Sequence, residues 1–206
     1  GEELLLRMYF IPTANIIQVN TRWRRSQKRG FPMGLRSGFW KREKELESPS
    51  PNAEEIRRVI PYTTGSADSL YIQPVARLNL DVDATSTLLY ALKRAIENLY
   101  QVESNEIGAT VMGDEEAPNI LIYEAAEGSL GVLSQIMDNP SLYNSIMTEA
   151  YKVCFFKNDA EVEGEVLPAT YDDLLSYYNQ FYHQQIDRNL IRDALRNLKE
   201  STVEVI

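Results

Sequence analysis

Residues 119–136, NILIYEAAEGSLGVLSQI, decide the fold. They begin with a short apolar run at 120–123, rich in β-branched and aromatic side chains, which predicts a buried strand. Apolar residues then recur near helical spacing from 130 to 137, so we expect a helix after Gly128. A helix that starts at such a turn has unpaired backbone N–H groups, which a side chain or a ligand can bind. Because EGSLG lacks both phosphate-loop spacings and its flanking carboxylates would repel a phosphate, we interpret Gly128 as a residue with an unusual φ and Gly131 as a point of close helix–strand packing.

Length and composition indicate a globular protein. A chain of 206 residues can bury a real core as one domain, or as one domain with an extension. Its hydrophobic fraction of 44% and charged fraction of 25% are ordinary for soluble proteins. No apolar run approaches the roughly 20 residues of a membrane helix, and the first ten residues lack signal-peptide features, so no membrane partner is expected. Because the chain begins at Gly1 and not at Met, we expect a piece of a longer protein.

Cysteine and histidine each occur once, as Cys154 and His183. A single cysteine excludes an internal disulfide and a multi-cysteine zinc site, and it suits a cytoplasmic location, which we predict. Cys154 lies among apolar residues in YKVCFF and is expected to be a small buried side chain. For His183 the sequence identifies no nucleophile and no orienting partner, so a structural or exposed role is expected.

Hydrophobic periodicity predicts an α+β fold, with a mixed or antiparallel sheet from strands mainly in the first half, packed against helices mainly in the second half. The predicted strands are 4–10, 15–23, 56–63, 69–80, 106–112, 119–123 and 203–205. The predicted helices are 86–102, 130–137, 141–155, 170–182 and 186–199. Residues 11–14 and 65–68 are interpreted as connections between strands. We expect one compact unit, in which a strand-rich part at 1–80, with a basic loop at 21–44, precedes an α+β part at 81–206.

Several side chains have expected places on these helices. Asp83 or Thr85 should cap the helix at 86–102, and Thr170 should cap the helix at 170–182 with Asp173 at its third position. The apolar stripe of the first of these helices leaves a polar face for solvent. The residues expected on that face are Lys93, Arg94, Glu97 and Asn98. In the tyrosine-rich second helix, Leu174, Leu175 and Tyr178 are expected to pack inward.

Charge is distributed unevenly along the chain. The formal net charge is −9, yet residues 21–44 contain nine Lys and Arg residues and one acidic residue. Tryptophan and phenylalanine are interspersed among these cations. Arginine can hold phosphates through paired hydrogen bonds, and unpaired bases can stack on aromatic faces with about 1–3 kcal/mol per base, so the segment predicts nucleic-acid binding. The candidate residues are Arg22, Trp23, Arg24, Arg25, Lys28, Arg29, Arg36, Trp40 and Lys41. Alternatively, both tryptophans belong to the core and the arginines cover an acidic surface of the same or a larger protein.

Four carboxylates could in principle form a metal site or an acid–base pair: Glu124, Glu127, Asp172 and Asp173. Their spacing does not require either. Asp172 and Asp173 are expected in the first turn of a helix, where they favour the helix dipole without any catalytic role. We therefore predict no catalytic, metal-ligating or cofactor-binding residue, and keep a divalent-metal-dependent hydrolase using Glu124, Glu127 and Asp173 as the least favoured alternative.

Three stretches together resemble a known family. They are 89–102 (LYALKRAIENLYQV), 119–133 (NILIYEAAEGSLGVL) and 171–188 (YDDLLSYYNQFYHQQIDR). Their order and spacing are similar to the MrfA-like zinc-binding domain at the C-terminal end of bacterial DNA helicases and their relatives, DISARM-type antiphage defence proteins among them. The family usually carries a Cys-x-x-Cys pair just before the third stretch, where this chain has Thr170 and Asp173. The resemblance aligns Cys154 with one of the upstream family cysteines, here without its partners.

The resemblance implies zinc, but the ligands are absent here, so we expect no cofactor and hypothesise that the Thr170 cap and apolar packing replace the metal. Neither a Walker A nor an acidic Walker B pattern occurs, so ATP belongs to a motor outside this chain. The resemblance implies a non-catalytic accessory domain of an ATP-dependent DNA helicase in DNA repair or antiphage defence. Its expected partners are DNA, single-stranded or at a junction, and the helicase motor or a partner subunit. The second hypothesis is a protein-interaction scaffold whose basic loop contacts an acidic partner.

Overall fold

The computed structural model describes residues 3–23, 26–126 and 131–205. The chain divides into two compact units, which we call the core unit (Gly1–Ala14 and Ala67–Ile206) and the basic unit (Asn15–Ser66). The basic unit has eleven Lys and Arg residues against five Glu residues, whereas acidic residues predominate in the core unit. From the sequence we expect a boundary between two parts of the chain near residue 80. The two compact units are divided instead after residues 14 and 66, and the boundary near residue 80 stays a prediction.

Strands lie mostly in the first half and helices in the second, and the paired strands are antiparallel, which confirms the predicted α+β class. The strands are β1 (Leu6–Val19), β2 (Phe31–Gly34), β3 (Ile56–Val59), β4 (Tyr62–Pro74), β5 (Ile107–Met112), β6 (Asn119–Glu124), β7 (Phe156–Lys157) and β8 (Ala160–Glu161). The α-helices are α1 (Glu43–Glu47), α2 (Val82–Tyr100), α3 (Val132–Asp138), α4 (Pro140–Phe155) and α5 (Arg192–Glu200). Short 3₁₀ helices occupy Ala76–Leu78, Tyr177–Tyr182 and Arg188–Ile191.

β6 is one of the two inner strands of a four-stranded sheet in the order β1-β4-β6-β5. It pairs antiparallel with β4, where Leu70 faces Ile122, and with β5 over six residue pairs. Ile120 and Ile122 are fully buried, so the buried strand predicted from the apolar run is confirmed. α2 packs against β5, β6 and α4, and α4 packs against α5, which places the hydrophobic core between the sheet and these helices.

α2 begins earlier than its apolar stripe. Asp81 is the N-cap, and its carboxylate accepts a hydrogen bond from the Ala84 N–H at 2.8 Å. The expected caps, Asp83 and Thr85, are therefore wrong, since both lie inside the helix. Because the Asp81 side chain accepts from the N–H of the third helical residue, the helix starts about one turn before residue 86, where it was predicted to start.

The predicted solvent face of α2 is wrong for two charged residues. Lys93 is 7% exposed and Glu97 is 8% exposed, whereas Asn98 is exposed as expected. The Lys93 Nζ donates to the Glu97 carboxylate at 2.5 Å and to the Ser104 carbonyl at 2.7 Å. Burial lowers the pKa of Lys93, and the Glu97 carboxylate opposes that shift. The polar face is thus buried because these charges pair with each other and with the chain that follows the helix.

The two predicted strand connections at 11–14 and 65–68 are also wrong, because β1 and β4 run through them without interruption. Thr13 adopts a left-handed φ of 48°, and its N–H donates to the Asp68 carboxylate at 2.8 Å. This side-chain bond satisfies a donor at the irregular point of β1. Pro12 is tolerated because β1 is an edge strand, where an N–H can be missing without breaking a ladder.

The segment after β8 differs most from expectation. The predicted helix at 170–182 is wrong: turns at 171–174 lead into the 3₁₀ helix Tyr177–Tyr182, and neither Asp172 nor Asp173 lies in a helical first turn. Leu174 is buried as predicted, but Tyr178 is 60% exposed. The helix predicted at 186–199 is a 3₁₀ turn followed by α5, with Leu190 exposed, and residues 203–205 form no strand. The Asp173 carboxylate accepts hydrogen bonds from the Thr170 and Leu174 N–H groups, and these local bonds compete with a helix here.

Within the residues that the structure describes, no helix has both the length and the apolar character needed to cross a membrane.

Candidate nucleic-acid interface

Three aromatic side chains meet in the basic unit. Phe31, the first residue of β2, is 3% exposed and faces Val59 across the β2–β3 pair. The Trp23 ring lies edge-on to it at 4.9 Å between centroids, and the Trp40 ring lies tilted at 5.7 Å. Trp23 is 56% exposed and Trp40 is 52% exposed. Both tryptophans therefore rest on a buried phenylalanine and keep more than half of their surface in solvent, so neither is a core residue.

Glu54 fixes the loop that carries Trp40. Its carboxylate accepts hydrogen bonds from the Ser37 hydroxyl at 2.6 Å, the Ser37 N–H at 2.8 Å and the Arg36 N–H at 3.1 Å, and it pairs with the Lys41 ammonium at 2.9 Å. These bonds, chiefly those from Ser37 and then Lys41, lower the pKa of Glu54 to about 2. A Cβ at position 34 would lie too close to this carboxylate, so a larger residue there would displace Glu54 from its hydrogen bonds. Lys41 is consequently held within the unit.

Lys28, like Lys41, forms ion pairs with glutamate side chains of the basic unit. Its ammonium pairs with Glu47 and with Glu43, the latter at 3.5 Å, and Glu43 also binds the Arg58 guanidinium. The pKa of Lys28 is raised, first through its hydrogen bond to Glu47. Two of the cations proposed from the sequence, Lys28 and Lys41, thus have carboxylate partners that neutralise them.

Three of the other candidate cations are accessible to a ligand. Arg22, Arg29 and Arg36 are exposed, and their side chains form no ion pair within the part of the chain that the structure describes. Arg24 and Arg25 lie outside the described residues. The structure thus brings Trp23 and Trp40 together on Phe31. Sequence reasoning missed Glu54 as the anchor of the loop, because its partner Ser37 is 17 residues away and no local pattern marks it.

The strand–turn–helix at β6 and α3 is closed by a side chain. Glu124 is buried, and its two carboxylate oxygens accept hydrogen bonds from the Gly131 N–H at 3.0 Å and the Leu133 N–H at 2.9 Å. Gly131 has a left-handed φ of 68°, and among the described residues the nearest atom to an added Cβ would be the Ser134 hydroxyl oxygen, 3.8 Å away. Gly131 is therefore needed for its conformation, and the described residues show none of the expected close packing. The predicted turn at Gly128 and the carboxylate of Glu127 lie outside the described residues.

The remaining polar candidates have structural partners. Asp173 pairs with Arg188, while His183 Nε2 lies 3.1 Å from the Ser176 carbonyl and 3.0 Å from Asn179 Oδ1. Cys154 is buried as predicted, and burial raises the pKa of its thiol to about 12. Among the described residues, no group of three or more His, Cys, Asp and Glu side chains is placed to hold a metal ion.

Residues 88–159 match the family model of the MrfA Zn-binding domain. The resemblance to this family is confirmed. The MrfA-type segment begins inside α2 and ends in the turn between β7 and β8, so Thr170, Asp173 and the whole basic unit lie outside it.

A crystal structure of the DUF1998 helicase MrfA bound to DNA is similar to the chain, with a TM-score of 0.47 and 6% sequence identity. The similarity covers 97% of this chain and 26% of the helicase chain, so this chain spans about a quarter of that protein. No curated protein gives a match.

Proposed function

We propose that this chain is a non-catalytic accessory domain of a cytoplasmic DNA helicase that acts in DNA repair or antiphage defence. The MrfA-type segment supports this assignment, since the protein that gives the family its name is a helicase crystallised with DNA. On this proposal, the ATP-hydrolysing motor lies outside the chain and the basic unit helps to hold a DNA strand.

The observation that carries DNA binding is the pair of half-exposed tryptophans on Phe31 in a unit that also presents Arg22, Arg29 and Arg36. Exposed aromatic faces suit unpaired bases, and guanidinium groups that have no carboxylate partner among the described residues suit the phosphates that join those bases. Bases inside a duplex are already stacked, so the ligand should be single-stranded DNA or the single-stranded part of a junction. Lys28 and Lys41 contribute less, because their charges are balanced by carboxylates.

Replacing Arg22, Arg29 and Arg36 together with Gln should weaken binding to fluorescently labelled single-stranded DNA and flatten its salt dependence. Each lost phosphate contact lowers the slope of log K against log salt by about 0.7, so the triple variant should lose about 2. The measurement is fluorescence anisotropy across a salt series. A matched control removes three exposed cations of the core unit, Arg77, Lys152 and Lys157, and should keep the wild-type slope.

An equal loss of slope in both triple variants would contradict a localised interface. No binding by wild-type protein with a normal melting transition would favour the scaffold, in which the same cations meet an acidic protein surface. That alternative predicts a tight complex with an acidic partner and no affinity for DNA at moderate salt.

We further propose that the core unit docks on the helicase motor through exposed aromatic side chains. Tyr177, Tyr178 and Phe181 lie on one 3₁₀ helix and are all more than half exposed. Exposed aromatic residues at this density are typical of protein interfaces, where they supply most of the binding energy. The double variant Y177S/F181S should bind the motor domains of the parent helicase at least about tenfold more weakly, as measured by biolayer interferometry. Leu167, which is equally exposed but lies outside this helix, gives the control L167S; a similar loss in L167S would contradict the assignment.

A further inference from the structure

The family description implies zinc, yet the residues present do not fit it. Structural zinc needs about four Cys, His or carboxylate ligands, with thiols in the thiolate form. Cys154 is the only cysteine, and its raised pKa keeps the thiol protonated. The only histidine, His183, is already hydrogen-bonded through Nε2. Thr170 and Asp173 lie outside the matched residues 88–159, and the resemblance seen in the sequence aligns them with the family's Cys-x-x-Cys pair. In this structure they have a different set of contacts.

Asp173 is the centre of a dense set of hydrogen bonds. Its carboxylate accepts from the Thr170 N–H at 2.7 Å, the Thr170 hydroxyl at 2.6 Å and the Leu174 N–H at 2.5 Å. It also forms an ion pair with the Arg188 guanidinium, and both side chains are largely buried. Burial raises the pKa of Asp173, but the bonds from Thr170, Arg188 and Leu174 outweigh it and hold the pKa below its usual value. Asp173 is therefore charged at neutral pH and cannot be replaced by a neutral group without loss.

Arg188 and the backbone of Asp173 extend these contacts to two helices. The Arg188 guanidinium donates to the Cys154 carbonyl near the end of α4 at 3.0 Å and to the Pro168 carbonyl at 3.2 Å. The Asp173 carbonyl accepts from Arg94 Nε of α2 at 2.8 Å. One ion pair thus joins α2, α4 and the segment 166–191, which has little regular structure of its own.

We propose that Thr170, Asp173 and Arg188 form a clasp that takes the place of the family's zinc and makes this fold independent of metal. A zinc ion joins separate segments because anionic ligands gather around one cation. In this chain the guanidinium is the cation, and its planar set of donors reaches a carboxylate and two carbonyls at once. A metal cation entering beside Asp173 would be repelled by Arg188. The hypothesis from the sequence is that a Thr170 cap and apolar packing replace the metal. The structure adds the ion pair between Asp173 and Arg188, which that hypothesis does not include.

The test begins with metal content and thermal stability of the purified chain. Protein produced in zinc-supplemented medium should contain far less than one zinc per chain by mass spectrometry of metals, and a chelator should leave its melting temperature unchanged. Near-stoichiometric zinc, or a melting temperature that falls with chelator, would overturn the proposal.

Substitution then tests the clasp itself. D173N and R188Q should each lower the melting temperature by roughly 10 °C, because each leaves a buried charge without its partner. D172N alters the adjacent exposed carboxylate and should melt within about 1 °C of wild type. If D173N and R188Q do not fold, T170V, which removes only the hydroxyl donor, should still lower the melting temperature by about 2–5 °C. Wild-type melting of D173N or of T170V would contradict the clasp.

Discussion

Replacing Lys93 by methionine should lower the free energy of unfolding by about 3–5 kcal/mol, because the substitution leaves the Glu97 carboxylate buried without its main partner. The Lys93 ammonium donates to Glu97, to the Ser104 carbonyl and to the Ser104 hydroxyl, the last at 3.2 Å. Arg94 also reaches Glu97, at 3.3 Å, but its guanidinium is already bonded to the Asp173 carbonyl. Methionine fills the volume of the lysine stem, so the loss measures charge pairing and not a cavity. Urea denaturation followed by circular dichroism gives the value.

A second substitution distinguishes a lost pair from lost packing. K93M/E97L removes both charges and should recover most of the stability, since a buried ion pair replaced by apolar groups of similar size is often neutral or stabilising. Lys152, an exposed lysine of α4, gives the control K152M, which should stay within about 0.5 kcal/mol of wild type. The prediction is wrong if K93M is as stable as K152M, or if the double variant is less stable than K93M.

The sequence predicted correctly those helices and strands whose apolar residues recur with a regular local period. β5, β6, α2 and α4 each have an uninterrupted apolar period, and the structure places all four near their predicted ranges. The helix predicted at 141–155 starts one residue earlier, at Pro140, since proline is favoured at the first position of a helix. In such segments local propensity and the burial of one face favour the same structure, so no distant contact is needed to identify them.

The wrong predictions concern residues whose structure depends on a partner far away in the sequence. Lys93 looks like a solvent-facing residue until Ser104 covers it, and Asp173 looks like a helix residue until Arg188 binds it. The sequence predicts breaks at Thr13 and at Asp68, but β1 and β4 continue through them, and a hydrogen bond joins these two residues across 55 positions. In each of these interactions the two residues do not lie on one shared helix or strand, so local periodicity along the chain does not predict them.

The candidate interface shows the same division. Composition identified Trp23 and Trp40 as exposed aromatic candidates within a basic segment, and their exposure agrees with that interpretation. Counting charge along the sequence did not show that Lys28 and Lys41 are paired with Glu47 and Glu54. Net charge is a property of composition, whereas the charge available to a ligand depends on which carboxylates the fold brings near. Binding of DNA by this surface stays a proposal.

Phe31 should be as important for DNA binding as either tryptophan, although it is buried and uncharged. F31A removes the ring on which Trp23 and Trp40 rest, at 4.9 and 5.7 Å, and should destabilise the basic unit by about 3–5 kcal/mol. With both indoles released, we expect affinity for single-stranded DNA to fall at least about tenfold, since each stacked base is worth about 1–3 kcal/mol. The salt slope should not change, because no cation is lost. A fall in affinity without a fall in slope separates this variant from the arginine triple variant.

The two tryptophans of the chain are Trp23 and Trp40, so intrinsic fluorescence reports on this cluster alone. Its emission should shift to the red in F31A, as both indoles lose contact with the ring, and return towards wild type in F31L, which keeps most of the buried volume. F39A, at an exposed phenylalanine of the same loop, should leave the emission and the unfolding free energy unchanged. Unaltered emission in F31A would show that the tryptophans do not depend on Phe31. If F31A keeps wild-type affinity while its emission shifts, the indoles do not stack on bases, and binding would rest on the arginines.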